Sequence, residues 1–229
     1  MKALFINGGP RKNWSTAQML EQAMQGAADA GAEVEMVHLY DDAFKGCVSC
    51  FSCKLKNAKT NGLCAYKDAL TPILEKAREV DVLVMGSPIY FSHPTGPVRS
   101  FMERLMFPVL TYNAKVDPET GAMKSTILNK TVPTAMIYTL GCTENMLSEC
   151  HYLEMFAETE KFFHMLFGYG ETLYSYSTYQ FDNYDKYDVA EFVEPFRAKH
   201  REQQWPLDLQ NAYELGARLI HKATELNAE

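Results

Sequence analysis

No apolar run in this chain approaches the roughly eighteen residues that a membrane span needs. The N-terminal MKALFINGG has an apolar stretch far shorter than a secretory leader's core, and it runs straight into a glycine turn, so a soluble, cytoplasmic protein is expected. Basic charge is also scarce. Against 29 Asp and Glu there are 22 Lys and Arg, a formal charge of −7 with no basic stripe, which removes the electrostatic footprint of nucleic-acid or anionic-membrane binding. The triphosphate loop GxxxxGK[ST] and the dinucleotide fingerprint GxGxxG are both missing. Internal repeats, low-complexity segments, a nucleophilic triad and a convincing carboxylate pair are missing too.

What is present is ordinary globular composition, 47% hydrophobic over 229 residues, enough to bury one sizeable core. The expected organisation is a single domain over residues 1–229. Short apolar runs at residues 2–7, 33–39, 81–88, 131–141 and 172–178 read as strands. Between them lie helical patterns. Leu20, Ala23, Met24 and Ala27 follow Ser15 and Gln18 at capping-box spacing. Leu70, Ile73, Leu74 and Ala77 follow a cap at Asp68, and Val98, Phe101, Met102 and Leu105 follow Pro97. Leu153, Phe156, Phe163 and Phe167 mark a further helix, and Leu209, Ala212, Leu219, Ile220 and Ala223 the last. Strands alternating with helices predict an α/β fold, a doubly wound five-stranded parallel sheet covered on both faces.

Two stretches exceed that minimum, near residues 108–130 and 179–206. Six of the thirteen tyrosines fall between residues 169 and 187. Such a bias suits a subunit interface or a lid; equally, it suits a solvated face on which Asp182, Asp185, Asp188, Glu191 and Glu194 point to water over packed aromatics.

The turn NGGPRKNWST, residues 7–16, joins the first strand to the first helix. There the helix N-terminus offers unpaired N–H groups and the positive end of its dipole to an anion. With Arg11 and the hydroxyls of Ser15 and Thr16, the loop suits one terminal phosphate, such as that of FMN; a plain strand-to-helix turn is the other reading. After the third strand, GSPIYFSHPTGP (residues 86–97) builds a loop around Tyr90 and Phe91. With strand order 2-1-3-4-5, the crevice where the order reverses is a ligand site, and one of these aromatics could lie against a flat ring.

The combination of GGPRKNWST, CVSCFSC with a later GLC, and GSPIYF followed by RSFMERL resembles the flavodoxin-like family of NAD(P)H-dependent FMN reductases and iron-sulfur flavoproteins, over most of residues 1–178. The family's first loop typically reads GSPRKxGNT. Here Gly9 stands in place of Ser, Trp14 of Gly and Ser15 of Asn, which removes one phosphate hydroxyl. The resemblance implies a flavodoxin-like fold with FMN phosphate held by Gly9, Pro10, Arg11, Ser15 and Thr16. It implies the ribityl chain and ring on Ser87, Pro88, Ile89, Tyr90 and Phe91, and the ring's far edge on Thr139, Leu140 and Gly141.

Cys47, Cys50 and Cys53 form a CxxCxxC run, with Cys64 ten residues further on. Such spacing lets one turn-rich segment aim three thiolates at one centre, with Cys64 as the fourth metal ligand of an iron-sulfur cluster. Zinc, a disulfide and unliganded half-buried thiols remain open, and the final gap is longer than in cluster-binding relatives. Cys142 and Cys150 read as core residues.

The resemblance also implies hydride transfer from NAD(P)H to FMN and onward to a small-molecule electron acceptor, a quinone, a nitro or azo compound, or free flavin. The alternative is an electron-transfer flavoprotein acting with a protein partner. Because a flavin carries the redox chemistry, no catalytic side chain is assigned. His93 could contact substrate or supply a proton, though a loop histidine is more commonly a plain hydrogen-bonding group. No ribose-phosphate pocket is legible that would choose between NADH and NADPH. A homodimer or homotetramer is expected from the aromatic insertion and the family likeness.

Overall fold

The computed structural model describes residues 1–116, 123–149, 151–191 and 193–228. Its elements, in chain order, are β1 (Lys2–Asn7), α1 (Ser15–Asp29), β2 (Glu33–His38), α2 (Thr71–Glu79), β3 (Val82–Tyr90) and β4 (His93–Pro94). Then come α3 (Gly96–Val109), β5 (Leu110–Val116), β6 (Met123–Thr126), β7 (Val132–Thr139) and α4 (Glu144–Glu149). The chain ends with α5 (Tyr152–Phe167), β8 (Gly168–Ser175), α6 (Val193–Gln203) and α7 (Trp205–Leu226).

The main sheet runs β2-β1-β3-β7-β8, every one of these neighbours parallel, so the five principal strands take the order 2-1-3-4-5 expected of a flavodoxin-like fold. Only β4 departs from the path, folding back antiparallel on β3. Strand side chains alternate between faces, and the core divides accordingly. Leu4, Ile6, Leu83, Met85, Met136 and Tyr138 face the layer built by α2, α3 and α5. Ala3, Phe5, Val82, Val84, Ala135 and Ile137 face α1 and α7. Both faces being dry, β1, β3 and β7 read as near-continuous apolar runs rather than alternating ones.

Several boundaries shift from the sequence reading. The residue before α1 is Trp14, in extended backbone and without a side-chain cap, so Ser15 lies inside the first turn and the Ser15–Gln18 box does not form. Asp68 lies two residues before the helix-flanking Leu70 and accepts its N–H at 3.0 Å, while α2 itself starts at Thr71. β8 begins at Gly168, four residues early, through its ladder to β7. The 108–130 stretch contains the β5–β6 pair, and the 179–206 stretch a loop followed by α6. Cys142 is half-buried against the core rather than within it, and Cys150 lies outside the described residues.

Candidate functional site

The C-terminal ends of β1 and β3 meet at Gly8, whose N–H donates to the Gly86 carbonyl at 2.8 Å and whose own carbonyl accepts from Thr95 Oγ1 at 2.8 Å. A Cβ at Gly8 would stand 2.0 Å from Val98 Cγ2, so only glycine fits. Asn7, fully buried, turns the chain by accepting the Gly9 N–H on Oδ1 at 2.8 Å. This delivers residues 9–14 to the head of α1. The first helical bond there is Gln18 N–H to the Trp14 carbonyl, which leaves the N–H groups of Ser15, Thr16 and Ala17 without partners in the helix. No acidic residue occupies that first turn, so the positive end of α1 is unneutralised.

These groups open onto a cavity of about 630 Å³. Of the residues expected from sequence, Gly9, Pro10, Arg11, Ser15, Thr16, Pro88, Ile89, Tyr90, Thr139 and Gly141 line it. Three do not. Ser87 is buried behind the wall, donating to the Pro88 carbonyl and accepting the Thr95 N–H. Leu140 is in the core, and Phe91 is 99% exposed at the β3–β4 hairpin tip, where it and Ser92 both have positive φ. His93, also exposed, is 3.4 Å from Arg99 and off the cavity.

Sequence reasoning missed the opposite wall: Thr178 to Asp182 and Tyr187, together with Asn13 and Trp14. Arg11 donates to the Gln180 carbonyl at 2.6 Å and lies 4.0 Å over the Trp14 ring, whose Nε1 donates to the Tyr179 carbonyl at 2.7 Å. Thr16 and Thr139 join across the floor at 2.6 Å. Behind the wall, buried Arg197 of α6 donates to the Thr178 and Gly141 carbonyls, fixing both loops. The tyrosine bias was the available signal, and its partners lie more than 160 residues away in sequence. Partial desolvation by the wall draws the largely exposed Arg11 guanidinium below its ordinary pKa, while Tyr90, Tyr187, Tyr184 and Asp182 favour its charge. Burial, aided by Tyr40, raises Tyr90 against the pull of Arg11, so its phenol is neutral at pH 7.

Cys47, Cys50, Cys53 and Cys64 all line one separate hollow of about 20 Å³, floored by Phe107 and the buried Arg104. Arg104 pairs with Asp68 at 2.6 Å and donates to the Tyr66 carbonyl at 2.7 Å; its Nε has no partner among the described residues. Among those residues no three His, Cys, Asp or Glu side chains are grouped as a metal-ligand set. Cys47 and Cys50 are exposed and Cys53 and Cys64 half-buried, and the hollow they line is too small to enclose a cluster.

A parallel sheet of this order with an uncapped helix head opening onto a cavity at its switch point defines a flavodoxin-like α/β protein. The family model for NADPH-dependent FMN reductase matches residues 1–132, more than half of the chain, and the chain belongs to that family, whose cofactor is FMN. It is 38% identical over 104 residues to an iron-sulfur flavoprotein of Archaeoglobus fulgidus, covering 45% of this chain and 48% of that one. It is 32% identical over 104 residues to an iron-sulfur flavoprotein of Methanocaldococcus jannaschii, covering 45% and 51%. The matches thus span about half the length of these curated relatives. In fold it is similar to an NAD(P)H:quinone oxidoreductase from Methanothermobacter marburgensis (TM-score 0.63, 16% identity, 96% of this chain and 98% of that one). It is likewise similar to an FMN-dependent NADH-azoreductase from Bacillus anthracis solved with FMN (TM-score 0.57, 14% identity, 99% of each chain). Among the described residues no helix is long and apolar enough to cross a membrane.

Proposed function

We propose that this chain is an FMN-dependent oxidoreductase that takes hydride from NAD(P)H and passes electrons to a small acceptor such as a quinone, a nitro or azo compound, or free flavin. The observation that carries this reading is the uncapped head of α1 beside Arg11, opening onto a cavity that Tyr90 also lines. That arrangement suits a phosphomonoester joined to a flat ring. Bound FMN supplies the two-electron chemistry. Arg11, Ser15, Thr16 and the N–H groups of residues 15–17 hold the phosphate. Pro88, Ile89 and Tyr90 face the ring, and Thr139 and Gly141 close its far edge. The 178–182 segment and Tyr187 form one wall of the cavity, so the 179–206 insertion is part of the site and residues 1–229 act as one unit.

Anaerobic rapid mixing of the flavin-loaded protein with NADPH or NADH tests the reading. Bleaching of the oxidised flavin band is expected; a band that persists with both coenzymes would favour the second reading, an electron-transfer flavoprotein serving a protein partner. The four thiols on one hollow favour that alternative if they take up iron. Iron and acid-labile sulfide in stoichiometric amounts after anaerobic reconstitution would support it. Exposed Leu153, Phe162 and Met165 on α5 support assembly into a homodimer or homotetramer, which sedimentation would test.

A further inference from the structure

Beyond Trp14 lies a second hollow of about 210 Å³, one third of the volume of the main cavity. It shares Asn13, Trp14, Ser15, Tyr179, Phe181 and Asp182 with that cavity and adds Gln18 and Arg201. The two spaces therefore adjoin along these shared residues, among which the Trp14 indole donates to the Tyr179 carbonyl. The smaller space accommodates a phosphorylated ribose or a base, and is too small for a second flavin. Its chemistry is that of a phosphate seat with an aromatic side. Arg201 is held with Cζ 4.7 Å over the Trp205 ring, and among the described residues its guanidinium has neither a hydrogen-bond nor an ion-pair partner, so its donors are uncommitted. Gln18 adds an amide, anchored by its own bond to the Asn13 carbonyl at 3.0 Å. Trp14 supplies the aromatic side.

We infer that this hollow takes the 2′-phosphorylated ribose at the adenosine end of the pyridine nucleotide, and that Arg201 seats the 2′-phosphate that distinguishes NADPH from NADH. The inference rests on the NAD(P)H activity proposed above. A guanidinium at a rim suits such a group, because the phosphate stays partly hydrated while two N–H donors meet its oxygens in the geometry that lysine lacks. Asp182 lines both spaces and places a negative charge near the anion; its removal should therefore strengthen NADPH binding.

The test is the reduction of bound flavin by each coenzyme in wild type, Arg201→Met, Arg201→Lys and Asp182→Asn, with flavin content measured for every variant. Arg201→Met should lose about ten- to a hundredfold in kcat/KM for NADPH, expressed in KM, and less than about twofold for NADH. Arg201→Lys should recover part of the loss, and Asp182→Asn should lower KM for NADPH. Adenosine 2′,5′-bisphosphate should compete with NADPH in wild type and not in Arg201→Met. Equal losses with both coenzymes, no loss with either, or release of FMN from Arg201→Met would overturn the assignment. Should neither coenzyme bleach the wild-type flavin, the proposed activity falls. Direct titration with adenosine 2′,5′-bisphosphate then decides the site alone: retained in wild type and lost in Arg201→Met it stands, otherwise it falls.

Discussion

Replacing Arg11 by Met separates phosphate recognition from everything else the cavity does. In the structure the Arg11 guanidinium is held by the Gln180 carbonyl at 2.6 Å and by the Trp14 ring at 4.0 Å, beside the open N–H groups of α1. A charge-assisted hydrogen bond contributes about 1.5–3 kcal/mol net; because Arg11 is exposed, screening reduces this to about 1–2 kcal/mol. At about 1.4 kcal/mol per decade, FMN binding should weaken roughly five- to thirtyfold. Riboflavin, which has the same ring and no phosphate, should bind wild type and Arg11→Met within about twofold of each other, and Arg11→Lys should lie between the extremes for FMN. Quenching of flavin fluorescence on titration of the apoprotein reads all of these dissociation constants. The FMN term should also shrink as salt is added. If riboflavin weakened as much as FMN, Arg11 would be acting through the wall it clasps at Gln180, and the phosphate assignment would be wrong.

Gly8→Ala should destabilise by about 1–3 kcal/mol, because the new Cβ meets Val98 Cγ2 at 2.0 Å and the Gly86 carbonyl at 2.9 Å; thermal unfolding should show it, with partial recovery on adding Val98→Ala. Arg104→Met should cost about 1.5–3 kcal/mol, since half-buried Asp68 keeps the Lys45 and Leu70 N–H groups, a melting temperature lower by roughly 3–12 °C. Burial would raise the Asp68 pKa, but the Arg104 hydrogen bond and the Lys45 and Leu70 N–H groups outweigh it and hold the carboxyl below its usual value. The stability it contributes is therefore present above about pH 4 and lost as pH falls through the lowered value, a dependence that chemical denaturation should find flattened in Arg104→Met. Phe91→Asn should raise the melting temperature by about 2–4 °C, since φ of +47° is costly for phenylalanine and favourable for asparagine, and should leave the FMN dissociation constant within about twofold.

The sheet was legible because burial on both faces writes parallel strands as apolar runs, and KALFIN became β1 residue for residue. The turn between β1 and α1 was legible for a related reason: a strand, a glycine turn and a helix in succession determine where N–H groups point. Less visible was the capping state of α1, where Ser15 and Gln18 have the right spacing but Trp14 takes the flanking position and bonds to Tyr179 instead. Periodicity marks apolar faces, so it passed over Arg104, a cation on the buried side of α3 whose partner Asp68 looked like a helix cap. The wall formed by residues 178–182 was illegible because its contacts with Arg11 and Trp14 depend on the finished sheet order, not on local pattern.

The most direct measurement is a crystal structure of the protein with FMN. The phosphate is expected within hydrogen-bond reach of the Ser15, Thr16 and Ala17 N–H groups and of Arg11, with the ring beside Tyr90. Flavin bound with its phosphate elsewhere, or no flavin density at saturating FMN, would contradict the account.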